Sequence, residues 1–196
     1  MELKFDHIIH YINQLNQFEF PGKLLKLHNG GKHHQFGTYN QLSYINGNYI
    51  ELLDVEDKEK LKKVAKTEEG RVSFATKIAQ DDFNQGFKTI CLRTKDIEEV
   101  KATLQKKNID VIGPIRMERE NKKGDKVGWQ LLYIADPSYN VKPPFFIQWD
   151  ESEAYKNESL KDLYQKQFSI ETLVVSSEKR NLTVDNWIKW YDMKVV

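Results

Sequence analysis

The segment from Leu3 to Ile12 reads LKFDHIIHYI, and it decides the fold that the sequence predicts. Its residues alternate between two faces, with Phe5 and His7 on one face and Asp6 and Ile8 on the other. β-Branched and aromatic residues occur on both faces, which is typical of a strand in the interior of a sheet. We therefore predict a central β-strand near the start of the chain.

Two more strands are predicted after this segment. Residues 36–45 alternate, the dipeptide Asn46-Gly47 follows, and residues 49–55 form a returning strand. Asn-Gly between alternating stretches predicts a hairpin, because a type I′ turn needs positive φ at both central positions. The connection over residues 13–20 is short and rich in Asn and Gln, so we expect any helix there to be stunted.

The same order of elements begins again at Phe87. Residues 87–93 form a second strand with apolar residues on both faces, and Asp96 caps a helix. Three further strands are predicted at 115–118, 129–134 and 145–149, with a polar hairpin turn at 121–125. The two copies begin about 80 residues apart, a spacing that indicates a structural duplication.

The predicted organisation has four parts. Residues 1–56 form the first module, 57–86 a connector, 87–150 the second module and 151–196 a C-terminal extension. A helix is predicted at 57–66, and residues 70–79 are expected to be a strand or irregular. The extension is predicted to contain a helix at 160–167, a strand at 170–176 and a helix at 183–193. A strand followed by a helix is an incomplete module: either it packs on the core, or it pairs with another subunit, or the chain is truncated. Its exposed sheet edge favours an oligomer, such as a homodimer formed through the extension.

The composition argues against several classes of protein. The 196 residues include 30 Lys and Arg and 29 Asp and Glu, so a net charge of +1 gives no field for nucleic acid or an anionic membrane. No apolar run reaches the roughly 20 residues of a membrane helix, and the N-terminus has no signal-peptide pattern. The single Cys91 excludes an intramolecular disulfide and fits a reducing compartment, so we expect a cytoplasmic protein.

Phosphate loops, dinucleotide fingerprints, paired-Cys zinc motifs and serine nucleophile elbows are absent from the sequence.

Three segments of the first copy, residues 5–9, 30–40 and 49–53, resemble glyoxalase-like domains. These domains belong to the vicinal oxygen chelate superfamily, with glyoxalase I, ring-cleaving dioxygenases and the fosfomycin- and bleomycin-resistance proteins. The second copy resembles them through the strand at Phe87, the helix entry at 94–97 and residues 144–149, so the likeness covers roughly the first 150 residues. The resemblance implies an α+β fold in which two βαβββ modules form a mixed sheet lining a cleft for a small molecule.

The resemblance also implies a divalent metal, held by inward residues of the first and last strands of each module. In the first copy, His7 and Glu51 match those positions. In the second copy we align Thr89 with His7 and Gln148 with Glu51, and both are weaker ligands. An imidazole and a carboxylate suit Zn, Fe, Mn or Ni.

Either His33 or His34 is a candidate third ligand, and the set we predict for a metal is His7, Glu51 and His34. Adjacent residues of a strand point in opposite directions, so only one of the two loop histidines can coordinate. The alternative is that His7 and Glu51 form a hydrogen-bonded pair in a polar cleft while the loop histidines are exposed.

Each of the other candidate residues of the cleft has one possible functional role. Without metal, Glu51 could act as a general base if burial raised its pKa. Arg116 could anchor an anion, and Trp129 could stack on an aromatic ligand. The remaining predicted ligand-binding residues are Thr38, Asn40, Cys91 and Gln148. For each residue the alternative is a structural role in a turn, in the core or on the surface.

Three functions follow from these features. The first is a glyoxalase-like enzyme of the lyase, isomerase or dioxygenase type that acts on a small oxygenated substrate. The second is a metal-free protein that binds or sequesters a small molecule, as the weak ligands Thr89 and Gln148 suggest. The third is a structural or regulatory oligomer, which rests on the incomplete C-terminal unit.

Overall fold

A computed structural model of the chain describes residues 1–120 and 126–194. The polar hairpin turn predicted at 121–125 lies outside the described residues. Within them, eight strands are found: β1 (Lys4–Tyr11), β2 (His28–His33), β3 (Thr38–Ile45), β4 (Asn48–Val55), β5 (Gly86–Arg93), β6 (Val111–Glu120), β7 (Lys126–Ile134) and β8 (Phe145–Trp149). The described α-helices are α1 (Lys58–Val64), α2 (Phe74–Gln80), α3 (Ile97–Lys106), α4 (Glu153–Leu160) and α5 (Arg180–Tyr191).

The strands form one sheet in the order β2-β3-β4-β1-β5-β8-β7-β6. β1 pairs in parallel with β4, β5 pairs in parallel with β8, and the antiparallel β1–β5 pair joins the two halves. Each half therefore repeats the same order of strands outward from the middle. This arrangement confirms the predicted α+β fold with two related modules.

The register of the β1–β5 pair reveals a local two-fold symmetry. Phe5 pairs with Leu92, and His10 pairs with Phe87. Adding 82 to the number of the β1 residue in either pair gives the β5 residue of the other pair (87 − 5 and 92 − 10). The pair Ile8–Ile90 maps onto itself under the same shift and lies on the symmetry axis (90 − 8 = 82). This register assigns equivalent positions in the two modules without a sequence alignment.

The connections between first and second strands differ between the modules. In the second module α3 is capped by Asp96, whose Oδ1 accepts a hydrogen bond from the backbone N–H of Glu99 at 2.8 Å. The first module has only two short 3₁₀ turns, at Leu15–Gln17 and Pro21–Lys23. The expected stunted crossover of the first module is thus confirmed.

Several predicted elements need correction. Residues 70–79, expected as a strand or irregular, form a 3₁₀ turn at Gly70–Val72 and most of α2. The helix predicted at 160–167 lies earlier, at Glu153–Leu160, because Ser152 starts it by accepting a hydrogen bond from Tyr155 N–H at 3.2 Å. The strand predicted at 170–176 is wrong: the segment has no regular secondary structure and pairs with no described strand, and β-branched composition cannot replace a ladder partner.

Two apolar clusters lie on opposite faces of the sheet. The inner cluster includes Ile9, Leu131 and Phe145, and helices α1 and α2 pack against it. The outer cluster joins the sheet to α3 and α5 through Leu104 and Trp190. None of the described helices has the length and apolar character needed to cross a bilayer.

Candidate functional site

The inner face of the sheet encloses a cleft between the two modules, with a cavity of about 70 Å³. His7, Asn40 and Glu51 from the first module form its polar end. Its other walls are mainly apolar and aromatic. They consist of Ile9, His33, Phe36, Leu42, Tyr49, Phe74, Met117, Trp129, Leu131, Tyr133, Phe145, Ile147 and Trp149.

His7 is held in one orientation by its neighbour in the chain. Its Nδ1 atom lies 2.8 Å from Oδ1 of Asp6, and both side chains are buried. Tyr49 stacks on the imidazole with the ring centroids 4.4 Å apart, and Phe145 meets it edge-on at 5.8 Å. When Nδ1–H donates to the carboxylate, the lone pair of Nε2 faces the cleft.

A β-bulge explains how two consecutive strand residues come together. Phe5 pairs with Leu92 but His7 pairs with Cys91, so Asp6 is an extra residue in β1. A bulge breaks the strict alternation of side chains, which allows Asp6 and His7 to lie on one side of the sheet. At the symmetric place Lys88 is the extra residue of β5, between Phe87 and Thr89.

Glu51 completes the polar end of the cleft. Its Oε2 atom lies 3.4 Å from Nε2 of His7, and its Oε1 accepts a hydrogen bond of 2.6 Å from Nδ2 of Asn40. The amide of Asn40 is fixed in turn, because its Oδ1 accepts from the backbone N–H of Gly31 at 2.8 Å. A Cβ atom at Gly30 would lie 2.0 Å from this same Oδ1, so the loop needs glycine there.

Asp6 lies among cationic and donor groups that come from distant parts of the chain. Its Oδ2 accepts from Nε1 of Trp149 at 3.2 Å and from Nζ of Lys156 at 3.4 Å, and Arg93 lies 3.7 Å away. Burial alone would raise the pKa of Asp6, but the hydrogen bond from His7 and the charges of Lys156, His7 and Arg93 hold it well below its usual value. The carboxylate is therefore ionised beside His7 at neutral pH.

Lys156 connects this site to the C-terminal extension. It belongs to α4, is 9% exposed, and its Nζ lies 4.2 Å from the centre of the Trp149 ring. Burial lowers the pKa of Lys156, and the nearby Asp6 carboxylate opposes that effect. The extension thus supplies a cation to the Asp6–His7 pair.

The two loop histidines are placed differently. His33 lines the cleft, and its Nδ1 lies 3.1 Å from Oγ1 of Thr38. His34, the residue we had predicted as a metal ligand, is exposed and lies outside the cleft wall. Thr38 is fully buried behind His33 and does not line the cavity.

Gln148 lies on the other face of the sheet from the cleft. Its Oε1 accepts a hydrogen bond of 2.7 Å from the backbone N–H of Ile97, at the start of α3. Asp54 does the same in the first module, where its Oδ2 accepts from Leu15 N–H at 3.1 Å. Leu15 and Ile97 are related by the same shift of 82 residues (97 − 15). Gln148 therefore corresponds to Asp54.

The equivalent of Glu51 in the second module is Phe145. Glu51 pairs with Ile9 and Phe145 pairs with Cys91, and these partners differ by 82 residues (91 − 9). The sequence alignment of Gln148 with Glu51 is thus offset by three residues, whereas the alignment of Thr89 with His7 agrees with the register (89 − 7 = 82).

The other predicted ligand-binding residues have varied surroundings. Trp129 lines the cleft and contacts Trp149 with ring centroids 5.4 Å apart. Cys91 is fully buried behind the wall, and burial raises the pKa of its thiol well above the usual value. Arg116 is exposed and forms a bidentate ion pair with Asp150, with both N–O distances 2.5 Å.

The donors present can be compared with the needs of a metal ion. Two ligands bound at about 2.0–2.2 Å in tetrahedral geometry lie about 3.3 Å apart, so the 3.4 Å between His7 and Glu51 is compatible with a shared ion. The second module contributes Phe145, which has no donor, and Thr89, whose hydroxyl lies 3.4 and 3.5 Å from the carbonyls of Ile90 and Pro143. Two protein ligands are too few for a resident metal, so the residues do not fit the family's metal centre.

Another group of potential ligands lies just behind the cleft. Among the described residues, Asp6, His7 and Cys91 are the one set of three whose ligand atoms all lie within 4.8 Å of one another. The Asp6 carboxylate already accepts from three donors, and the Cys91 thiol is protonated at neutral pH. This set is better explained as an internal hydrogen-bonded network than as a metal site.

Asp6 and Lys156 are parts of the site that the sequence alone did not indicate. Strict alternation placed Asp6 on the face opposite His7, and no local pattern marks a bulge. Lys156 lies 150 residues from Asp6 in the chain, within a helix whose other residues are mostly exposed. The adjacency of an acid and a histidine was the one available signal, and it does not by itself predict contact.

Comparisons with known proteins agree with the fold. A hypothetical protein from Staphylococcus aureus has a structure similar over the whole chain and 78% of its own length, with 60% sequence identity and a TM-score of 0.97. A hypothetical protein from Bacillus halodurans is 17% identical, with 78% of this chain and 96% of that chain covered and a TM-score of 0.50. Methylmalonyl-CoA epimerase from Streptomyces coelicolor, solved with 2-nitronate-propionyl-CoA, is 17% identical over 76% of this chain and 98% of that chain, with a TM-score of 0.46.

None of the curated proteins matches the chain. The family profile described as the glyoxalase-like domain matches residues 5–191, which include both modules and most of the C-terminal extension. The matched segment, the duplicated sheet and the close likeness to the staphylococcal structure all agree, and the chain belongs to the glyoxalase-like domain family.

Proposed function

We propose that the protein is a small-molecule enzyme of the isomerase type that moves a proton at a carbon next to a carbonyl group, with His7 and Glu51 as the acid–base pair. The observation that carries this proposal is the connected row Asp6–His7–Glu51, with gaps of 2.8 and 3.4 Å, at the polar end of an otherwise apolar cleft. Such a row favours proton transfer because each group supports the charge that its neighbour acquires.

The direction of the hydrogen bonds suggests the role of each group. With the Nδ1 proton donated to Asp6, Nε2 of His7 can accept a proton from carbon, and the ionised Asp6 stabilises the imidazolium that forms. The electron pair of the broken C–H bond moves onto the carbonyl oxygen as an enolate. When the carbon that lost the proton bears a hydroxyl group, the O–H proton moves to the former carbonyl oxygen and a new carbonyl forms at that carbon. The proton taken by His7 is delivered to the former carbonyl carbon, and Glu51 can relay it between the two positions.

A donor for the developing enolate is present in the opposite wall. Tyr133 lines the cleft and stacks on Phe145, with ring centroids 5.4 Å apart. Burial, followed by the charges of neighbouring groups, raises the pKa of Tyr133, so its phenol stays protonated and can donate a hydrogen bond. Both acid–base groups lie on the wall formed by β1 and β4, so the proton would leave and return on one face of the substrate.

The cleft also limits the substrate. A cavity of about 70 Å³ accepts a few heavy atoms near His7, and the aromatic walls favour an apolar or aromatic substituent. We therefore propose a small carbonyl compound with an oxygen-bearing neighbouring carbon. Because the donors do not make up a metal centre, no step of this proposal depends on a metal.

Deuterium exchange measures the proposed step directly. Small 2-hydroxy aldehydes and 2-hydroxy ketones would be incubated with the enzyme in D₂O, and exchange at the carbon would be followed by NMR. We expect exchange to fall about a hundredfold or more in His7→Ala and Glu51→Gln and to be unchanged in His34→Ala, a histidine outside the cleft.

A metal-free binding protein is the second candidate, and the position of Phe145 supports it. An aromatic ring in place of the fourth ligand gives a cleft that can hold an apolar ligand without reacting with it. Saturable binding of a compound that shows no exchange with any of the panel would favour this function over the enzyme.

Two further expectations remain proposals. The lone, buried Cys91 supports a cytoplasmic location, which fractionation of cells would test. Assembly as a homodimer through the C-terminal extension would be tested by light scattering, and a monomer at all concentrations would remove that proposal.

A further inference from the structure

A second cavity of about 560 Å³ lies on the outer face of the sheet, away from the cleft. Its floor is the middle of the sheet, where Ile8, His10 and Ile90 project opposite to His7 and Ile9. Its sides are the end of α2, the loop at 140–142 and the segment at 173–176. A cavity of several hundred Å³ is the size of a small-molecule site.

The cavity collects more positive than negative charge. Lys77, Lys88 and Lys142 line it, and Asp81 is its single carboxylate among the described residues. The two oxygens of Asp81 are already used, by Nζ of Lys77 at 3.0 Å and by Nζ of Lys88 at 2.6 Å. The cavity thus holds three ammonium groups and one carboxylate, and two of the three ammonium groups are paired with it.

Lys142 is the cation that lacks a counter-ion. It is 7% exposed, and its Nζ donates to the backbone carbonyl of Val72 at 2.8 Å, with no carboxylate of the described residues within 4.0 Å. Burial and then the charge of Lys77 lower the pKa of Lys142 to about 8. Burial and the charge of Lys88 likewise lower the pKa of His10. A buried ammonium ion without a counter-ion is unfavourable even when a carbonyl accepts from it, and an external anion would relieve that cost.

Apolar side chains lie beside these cations. Ile8 and Ile90 form the floor, while Phe87 and Leu173 are 38% and 39% exposed at the rim. A ligand that is only an anion would leave this surface in contact with water, whereas a short hydrocarbon chain would cover it.

We propose that the outer cavity binds a small amphiphilic oxyanion, with a carboxylate or phosphate head at Lys142 and Lys77 and a short apolar tail along Ile8, Phe87 and Ile90. The head supplies the missing counter-charge, and the tail covers the exposed apolar floor. This site is independent of the cleft and of the reaction proposed there.

Calorimetric titration of the whole protein with four probes tests the proposal: hexanoate, hexyl phosphate, hexanol and inorganic phosphate. We expect saturable binding of hexanoate or hexyl phosphate, at least about tenfold tighter than that of hexanol or inorganic phosphate. The stronger of the two amphiphilic probes identifies the head group. Equal binding of inorganic phosphate would overturn the role of the tail, and no saturable binding up to about 10 mM would overturn the site.

Variants locate the binding. Lys142→Met and Lys77→Gln should each weaken it about tenfold or more, and the partly exposed Lys77 provides a variant that keeps the fold if Lys142→Met does not. Lys62→Gln, on the exposed face of α1, and His7→Ala, in the cleft, should leave it unchanged. Binding that is lost in His7→Ala but kept in both cavity variants would contradict the proposal.

Discussion

Asp6 and His7 are consecutive residues of a β-strand, yet Oδ1 of Asp6 lies 2.8 Å from Nδ1 of His7. This contact exists because Asp6 is the extra residue of a bulge in β1. The contact holds the imidazole through Nδ1, so Nε2 faces the cleft and Glu51. The properties of the site therefore depend on a carboxylate that does not line the cleft.

Replacing Asp6 by Asn tests this dependence. The Asn amide can donate to Nδ1 of His7, which would move the imidazole proton to Nε2 and leave no lone pair of the imidazole facing the cleft. We expect proton exchange on substrate to fall by roughly 10²- to 10⁴-fold. ¹⁵N NMR of the imidazole would show the change of tautomer, and an unchanged tautomer with full activity would contradict the assignment.

The buried pair of Lys156 and Asp6 should matter for stability. Lys156→Met leaves the Asp6 carboxylate buried without its nearest ammonium group, so we expect a loss of about 3 kcal/mol in the free energy of unfolding. Lys161→Met, in an exposed ion pair just beyond the same helix, should cost less than about 0.5 kcal/mol. Chemical denaturation measures both losses. An equal loss in the two variants would show that the Lys156–Asp6 pair stabilises the fold no more than an exposed ion pair does.

The symmetry of the sheet predicts how a metal site could be completed. Thr89→His together with Phe145→Glu should place four donors around the point between His7 and Glu51, since Thr89 and Phe145 are the symmetric positions. We expect this variant to bind Co²⁺ or Zn²⁺ at least about a hundredfold tighter than the native chain does. Absorption spectroscopy of the Co²⁺ form measures the gain.

A matched control uses the position chosen by sequence alignment. Thr89→His together with Gln148→Glu adds one ligand instead of two, because Gln148 lies on the other face and contacts the start of α3, so it should bind the ion more weakly than the Phe145 variant. Tight binding by this control, with none by the Phe145 variant, would refute the register assigned here. Circular dichroism would verify that both variants keep the fold.

The titration of Lys142 should make the free energy of unfolding depend on pH. Its pKa is lowered from 10.5 to about 8 in the folded protein, so between these values the unfolded chain holds a proton that the folded protein has released. Stability therefore rises with pH across this window, by at most about 3 kcal/mol. Below pH 8 both states are protonated, and the contribution of Lys142 is constant.

Comparison with Lys142→Met separates this effect from the Tyr and Cys groups that titrate in the same range. The difference in unfolding free energy between the native protein and the variant should change only between about pH 8 and 10.5, in favour of the native protein. Urea denaturation in the absence of added anions provides the measurement. A difference that does not vary with pH would show that Lys142 titrates normally.

Much of the fold follows from local patterns in the sequence. The hairpin at Asn46-Gly47 has positive φ at both residues, 43° and 86°, as the dipeptide predicted. The cap at Asp96 and the two apolar first strands were also visible, since each depends on residues close together in the chain. These features are sufficient for the duplicated modules and for bringing His7 and Glu51 to one cleft.

The tertiary structure alone decided the composition of the site. The bulge at Asp6 arises from the pairing of β1 with β5. The register of β8 makes Phe145 the equivalent of Glu51 in the second module. The cation beside Asp6 comes from a helix 150 residues away in the chain. Periodicity determines which face of a strand is apolar, because that property is local. Register, bulges and contacts between distant segments depend on the free energy of the whole packed sheet, and a single sequence does not display that quantity residue by residue.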